Sequence, residues 1–374
     1  MTAAPPADPA AGSPVADVLD RARPDLWPAP APGLRTCVVV PARDEAERLP
    51  GLLHALATQR DADGRPFAPG AVEVLLLVNN TTDGSAQAAR ATAPWAHVAE
   101  VALGPSEAHV GRARQLLMDT ACARLLAAGR PDGLICSTDA DTRPAPDWLA
   151  SNAAEAEGVD AVGGRALLLP DERAALAPGV RRLYLLELAY RRAVEDLRAL
   201  YAPDAWDPTP RHHHHFGASL AVRADAYAAV GGMPARPMHE DIALVHALWS
   251  AGRRVRHSAR VRVYTSARSC GRAAGGLADD VARWAAHAAA GTEPSVEPAE
   301  AAERRLAGLA VDRARWPGAP PDRLRMDTPQ ARPGAAQPVS AAIADLRRRV
   351  AVLRALSPDA RLARAQRLAW APTD

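Results

Sequence analysis

The chain has 374 residues, 48% of them hydrophobic, which is enough to bury a large core in one principal domain with appendages. Its formal net charge of +2, with Arg throughout and no Lys, gives no reason to expect nucleic acid as a partner, since the footprint of such binding is a concentrated basic surface. No stretch approaches the ~20 apolar residues of a membrane span, and Cys37, Cys122, Cys136 and Cys270 are spaced like reduced thiols, so a soluble cytoplasmic protein is expected.

Residues 1–33 are rich in Ala and Pro, lack the basic start and apolar core of a signal peptide, and are expected to be disordered. The β-branched run Thr36-Cys37-Val38-Val39-Val40 reads as a strand. It leads through Pro41-Ala42-Arg43-Asp44-Glu45 into a helical pattern carried by Leu52, Leu53 and Leu56. A second unit follows: Val72 to Val78 as strand, Asn79-Asn80-Thr81-Thr82-Asp83-Gly84 as turn, and an Ala-rich helix from Ser85. Two strand–helix units in series imply a parallel sheet. Val98 to Leu103 is a shorter strand candidate. The helix expected from Gly111 to Ala128 carries Arg112 and Arg114 on its first turn, where a phosphate is well received.

The next apolar run, Leu134-Ile135-Cys136-Ser137, ends at Asp139-Ala140-Asp141. Two carboxylates one residue apart at a strand end can grip a hard divalent cation, and a cation held there can hold a diphosphate. Taken alone the pair is more often a solvated turn.

Leu183, Leu186, Tyr190, Val194, Leu197 and Tyr201 recur at helical spacing and predict a core-facing helix over Gly179 to Tyr201, with an acceptor-groove wall as the alternative. His212-His213-His214-His215 is no structural zinc site, because neighbouring side chains on a strand alternate faces and Cys partners are missing. A solvated loop is the plain reading of this run, with His215 a candidate to lie near an acceptor. Glu240 and Asp241 open an amphipathic helix through Ile242, Val245, Leu248 and Trp249, and only one of the two can face a substrate. From Thr292 to Val339 the composition suggests a partly ordered linker wrapping the preceding domain. Ile343, Leu346, Val350 and Leu353 then mark a basic amphipathic helix that either docks on the body or lies on an anionic membrane surface.

In their order, Val38-Val39-Val40-Pro41-Ala42-Arg43-Asp44-Glu45, Asn79-Asn80-Thr81-Thr82-Asp83-Gly84-Ser85, Asp139-Ala140-Asp141-Thr142-Arg143-Pro144 and His239-Glu240-Asp241 resemble a family 2 glycosyltransferase with a GT-A fold. The resemblance spans about residues 34–264. The loop Gly271-Arg272-Ala273-Ala274-Gly275-Gly276 is similar to one in some soluble members. The resemblance implies an α/β fold with a mostly parallel sheet flanked by helices. A catalytic domain over 34–290 divides into a nucleotide-binding half (34–141) and an acceptor half (142–290), followed by a helical extension over 291–374.

It further implies transfer of a sugar from a nucleotide diphosphate donor to an acceptor hydroxyl, with Mn²⁺ or Mg²⁺ at Asp141 and Asp139. Pro41, Arg43, Glu45, Asn79, Asp83, Arg112, Arg114 and Asp139 would bind the nucleotide sugar. Asp241 would be the general base of an inverting reaction, with Glu240 beside it. One departure is Asn79, where the family usually has an acidic residue, which leaves the nucleobase open. Asp280-Val281-Ala282-Arg283-Trp284 is only faintly similar to the Gln-x-x-Arg-Trp element of processive synthases, and Arg272 and Arg283 are candidates for an anionic ligand. Rival readings are a retaining transferase or nucleotidyltransferase on the same sheet, and a non-catalytic nucleotide-sugar binder.

Overall fold

The computed structural model describes residues 13–271, 275–315 and 336–369. In chain order, α1 (Pro14–Arg21) precedes β1 (Thr36–Ala42), α2 (Leu49–Ala57), β2 (Val72–Asn79), α3 (Ser85–Thr92), β3 (His97–Val101), α4 (Val110–Ala127) and β4 (Leu134–Ser137). Then come β5 (Thr142–Pro144), α5 (Trp148–Glu155), β6 (Ala161–Leu168), α6 (Pro170–Ala175), α7 (Pro178–Tyr201), β7 (Leu220–Arg223), α8 (Ala224–Ala229), α9 (Glu240–Ser250) and β8 (Val255–Thr265). The chain continues through α10 (Leu277–Ala289), β9 (Ser295–Val296), α11 (Ala299–Arg315), β10 (Gln337–Pro338), α12 (Val339–Arg354) and α13 (Pro358–Ala369).

One mixed sheet runs β3-β2-β1-β4-β7-β6-β8-β5. The first four strands are parallel, as the two strand–helix units require, and β7 runs antiparallel to both of its neighbours. This is the GT-A architecture that the sequence motifs imply. The central strands are apolar on both faces because both faces are covered by helices. Cys37 and Val39 of β1 pack with Leu75, Leu77 and Ile135 beneath α4, α8 and α9, while Val38 and Val40 pack with Leu76 and Val78 against α2, α3 and α5.

Two stretches, one expected to be disordered and one to be a partly ordered linker, hold helices. Residues 13–33 are not a disordered tail: α1 seats Val18 in the core, and Arg21 Nε bonds Asp119 Oδ2 at 2.8 Å on α4. Residues 1–12 of that expectation lie outside the described residues. The linker expected over 292–339 contains α11, which buries Ala302, Leu306 and Ala307, while residues 316–335 lie outside the description. α7 packs its apolar stripe, and α12 docks on α7 and α11 through Ala342, Ile343, Leu346, Val350 and Leu353. The apolar face that a membrane contact would use is therefore turned inward. Among the described residues no helix is long and apolar enough to cross a membrane.

Candidate active site

Parallel strands leave their carboxyl ends open to a ligand, and here the ends of β1, β2 and β4 share one rim. The β1 and β2 loops are tied together before any ligand arrives. Asp83 Oδ2 accepts from Ala46 N at 2.9 Å and its Oδ1 from Ser85 N at 3.0 Å, while Ser85 Oγ accepts from Glu45 N at 2.8 Å. Burial raises the Asp83 carboxyl, but the hydrogen bonds it accepts from the Ser85 hydroxyl and from the Ala46 and Ser85 amides outweigh it and hold it below its ordinary value. Asp83 thus clasps the two loops together and is not among the residues that line the cavity. Arg112 is likewise outside that lining, with its Nε 3.0 Å from Glu107 and its Nη1 donating to Gln115 at 2.6 Å.

The other sequence-assigned residues, Pro41, Arg43, Glu45, Asn79, Arg114, Asp139, Asp141, Glu240 and Asp241, line one cavity of about 870 Å³. Arg114, buried on the first turn of α4, joins its two acidic edges. One nitrogen bonds Asp139 in the turn after β4, and the other bonds Glu240 at the start of α9. Burial alone would lower the Arg114 pKa, but Asp139, Glu240 and Asp241 raise it, so the guanidinium stays charged. Burial raises the Glu240 carboxyl despite the opposing pull of Arg114. Glu240 is held as a partner of Arg114, and Asp241 is the member of the pair turned to the β7 side, where its Oδ2 accepts from Gly217 N at 2.7 Å.

Gly217 has to be glycine. A Cβ there would meet Arg114 Cζ at 2.4 Å and its Nη atoms at 2.6 and 2.7 Å. The turn Phe216-Gly217-Ala218-Ser219 therefore brings backbone against a guanidinium, and only a residue without a side chain permits that approach.

Sequence reasoning missed Arg268. Following β8, it donates from Nη1 to Glu45 Oε1 at 2.8 Å, and its Nη2 lies 3.0 Å from Asp141 Oδ2. Asp141 is nevertheless pushed up to about 6, first by burial and then by the charge of Asp139, against the pull of Arg268. An Arg in a chain rich in Arg carries no signal of its own; only the fold brings it to β1 and β4.

The histidine run is not a solvated loop. His212 Nε2 is 3.0 Å from the Ser258 carbonyl, His214 Nδ1 accepts from Ala166 N at 3.2 Å, and His215 Nδ1 is 3.4 Å from His257 Nε2. His257 in turn donates from Nδ1 to Asp207 at 2.9 Å. Among the described residues no group of three or more His, Cys, Asp or Glu is arranged to hold a metal ion, so these rings form packing and hydrogen-bonding walls. Arg283 is committed too, bonding Asp280 at 2.6 Å and Glu187 at 3.2 Å, while Trp284 Nε1 donates to Glu187 at 2.9 Å. Arg272 lies outside the described residues.

Comparison with known proteins adds a family to this geometry. Residues 37–190 match the family model described as Glycosyl transferase family 2. No curated protein matches the sequence. Among solved structures, a mannosyltransferase from Pyrobaculum calidifontis in complex with GDP-Man and Mn²⁺ is similar at 17% identity and TM-score 0.43, covering 96% of this chain and 88% of that one. S. aureus TarS 1-349 in complex with UDP is similar at 14% identity and TM-score 0.44, covering 75% and 71%. Glucosyl-3-phosphoglycerate synthase from Mycobacterium tuberculosis, in complex with Mn²⁺, UDP-glucose and glycerol 3-phosphate, is similar at 17% identity and TM-score 0.38, covering 71% and 83%.

Proposed function

We propose, from the premise that the domain over residues 37–190 makes this chain a family 2 glycosyltransferase, that it transfers a sugar from a nucleotide diphosphate donor to an acceptor hydroxyl with inversion. The observation that carries the reading is the Arg114 bridge. Asp139 and Glu240 share its guanidinium, so Asp241 borders the same cavity as the Asp139–Asp141 turn. A base on one side of a sugar ring and a leaving-group site on the other is what in-line displacement requires.

In this reading Asp241 takes the proton of the attacking hydroxyl, and the Gly217 N–H fixes the carboxylate's orientation. Pro41, Arg43 and Asn79 border the nucleoside part of the cavity, and Arg114 sits at the start of α4, whose N-terminal N–H groups favour a diphosphate. Asp141 and Asp139 supply hard oxygen donors suited to Mn²⁺ or Mg²⁺. With Asp139 and Asp141 as the protein donors, the remaining positions would fall to the donor's phosphates and water, as is usual for such ions. When bound, the ion supplies charge neutralisation to the departing diphosphate. Arg268, already on Asp141 and Glu45, is the protein's own positive charge at that end.

The experiment is a thermal-shift screen of nucleotide sugars with and without Mn²⁺, followed by NMR of the product's anomeric linkage. Donor hydrolysis or transfer with an α-linked donor giving a β-glycoside is the expected result. Retained α stereochemistry removes Asp241 from the base role, and binding without any turnover across the panel favours a non-catalytic binder.

A further inference from the structure

The cavity does not end at Asp241. It continues across α7 and the His212–His215 segment to α11, where Leu306 and Leu309 close it. This deeper part is lined by three arginines, Arg191, Arg198 and Arg305, against four acids, Glu187, Glu195, Asp207 and Asp280.

Each of those arginines already has an acid. Arg191 lies 3.7 Å from Glu187, Arg198 3.2 Å from Glu195, and Arg305 2.9 Å from Glu297. Glu195 also meets Arg211 at 3.3 Å; burial raises its carboxyl, but the two guanidiniums prevail and hold it at about 2. The imidazoles of His212 to His215 add no positive charge, since burial holds His212 and His213 at about 3 and His214 and His215 well below their ordinary value. An anion entering here would have to break an existing pair or remain buried without one, and both are strongly unfavourable.

What the wall does offer is charge-balanced. Imidazole nitrogens and carboxylate oxygens already paired with guanidiniums suit hydroxyl groups, and aromatic rings suit the C–H faces of a sugar. His246 stacks on Trp249 with centroids 5.6 Å apart, and Tyr184 meets Trp284 edge-on at 5.4 Å. Resting on the transferase reading above, we propose that this chamber receives the acceptor and that the acceptor is an uncharged polyhydroxyl compound, a sugar or glycoside. In the step that follows, the acceptor oxygen forms its bond to the anomeric carbon as the bond from that carbon to the diphosphate oxygen breaks. The leaving diphosphate takes the electron pair, and the hydroxyl proton passes to Asp241.

The test uses the full chain with a donor it hydrolyses. Methyl glycosides and simple polyols are compared with their phosphorylated, carboxylated and amino counterparts. The expected result is kcat/KM at least tenfold higher for the neutral member of each set; parity, or preference for a charged member, overturns the proposal. Glu195→Gln leaves Arg198 and Arg211 underpaired and is expected to narrow the neutral-to-anionic ratio by about tenfold. Because Glu195 is buried and its loss can prevent folding, Glu187→Gln, at a more exposed position beside Arg191 and Arg283, is the second variant and is expected to move the ratio the same way. A ratio unmoved in folded Glu187→Gln protein overturns the assignment of the chamber. Donor hydrolysis without acceptor separates the two readings: it persists if only the acceptor class is wrong, and its absence across all donors removes the transferase reading and this one together.

Discussion

Asp139 and Glu240, one in the turn after β4 and the other at the start of α9, are bound by the two terminal nitrogens of a single buried guanidinium, Arg114. The bridge makes one rigid unit of two acidic motifs distant in the sequence. A buried Arg between two carboxylates is strongly held, because removing any member leaves an uncompensated charge. Asp241, adjacent to Glu240 on α9, inherits its position from this unit.

Gly217 guards that unit. Ala at this position puts a methyl within 2.4 Å of Arg114 Cζ, so either the guanidinium or the turn has to move. Gly217→Ala is expected to cost about 1–3 kcal/mol in chemical denaturation, the usual penalty for overpacking. It is also expected to lower turnover at least tenfold, since the Gly217 N–H that orients Asp241 moves with the turn. Unchanged stability together with unchanged kcat means that the close approach is not real.

Asp241→Asn keeps the shape of the side chain and removes the proposed base. Turnover is expected to fall by about 10²-fold or more while the donor dissociation constant stays nearly constant, because the carboxylate is not assigned to the nucleotide. Calorimetric donor titration beside steady-state kinetics reads both quantities. Lost donor binding with normal turnover at saturation contradicts the assignment.

Much of this site was legible because its signals are local. β1, β2 and β4 are short apolar runs that end in charged or turn-forming residues, and α9 begins where two acids precede an apolar stripe. What could not be read depends on distant partners. Arg268 gains its meaning only from Glu45 and Asp141, and the histidine run is buried because β6 and β8 supply partners through Ala166, Ser258 and His257. α1 looks like part of a loose Ala- and Pro-rich tail until Asp119, from the middle of α4, is seen to bind Arg21. α11 escapes notice because much of its buried face is alanine, which carries little contrast against an Ala-rich background.

Asp141 is held at a cost in stability. Its carboxyl is raised from 3.8 to about 6 by burial first and then by Asp139, so at neutral pH the ionised group opposes folding. For a carboxylate with a raised folded-state pKa this cost is complete above about 6 and fades as the pH falls toward the unfolded value. Asp141→Asn is therefore expected to stabilise the metal-free protein at pH 7.5 by on the order of 1 kcal/mol, with the difference gone near pH 4. The same variant is expected to lose any thermal upshift from Mn²⁺ plus donor. Melting curves at the two pH values, with and without Mn²⁺, check both parts; destabilisation at pH 7.5 contradicts the first.

A divalent cation at Asp141, as proposed, would make the same demand on that carboxylate as Arg268. The guanidinium lies 3.0 Å from Asp141 Oδ2 and 2.8 Å from Glu45 Oε1, so a cation that uses Asp141 gains it in competition with Arg268. Arg268→Ala removes the competitor and leaves the acidic rim one positive charge poorer. Both changes favour the cation, and Mn²⁺ affinity of the donor-free protein is expected to rise about tenfold, or ~1.4 kcal/mol. Turnover is expected to fall at the same time, because Arg268 also contributes positive charge where the diphosphate's negative charge grows. Isothermal titration with Mn²⁺ alone separates the two effects. Weaker Mn²⁺ binding in the variant means that Arg268 supports the cation site instead of competing for it.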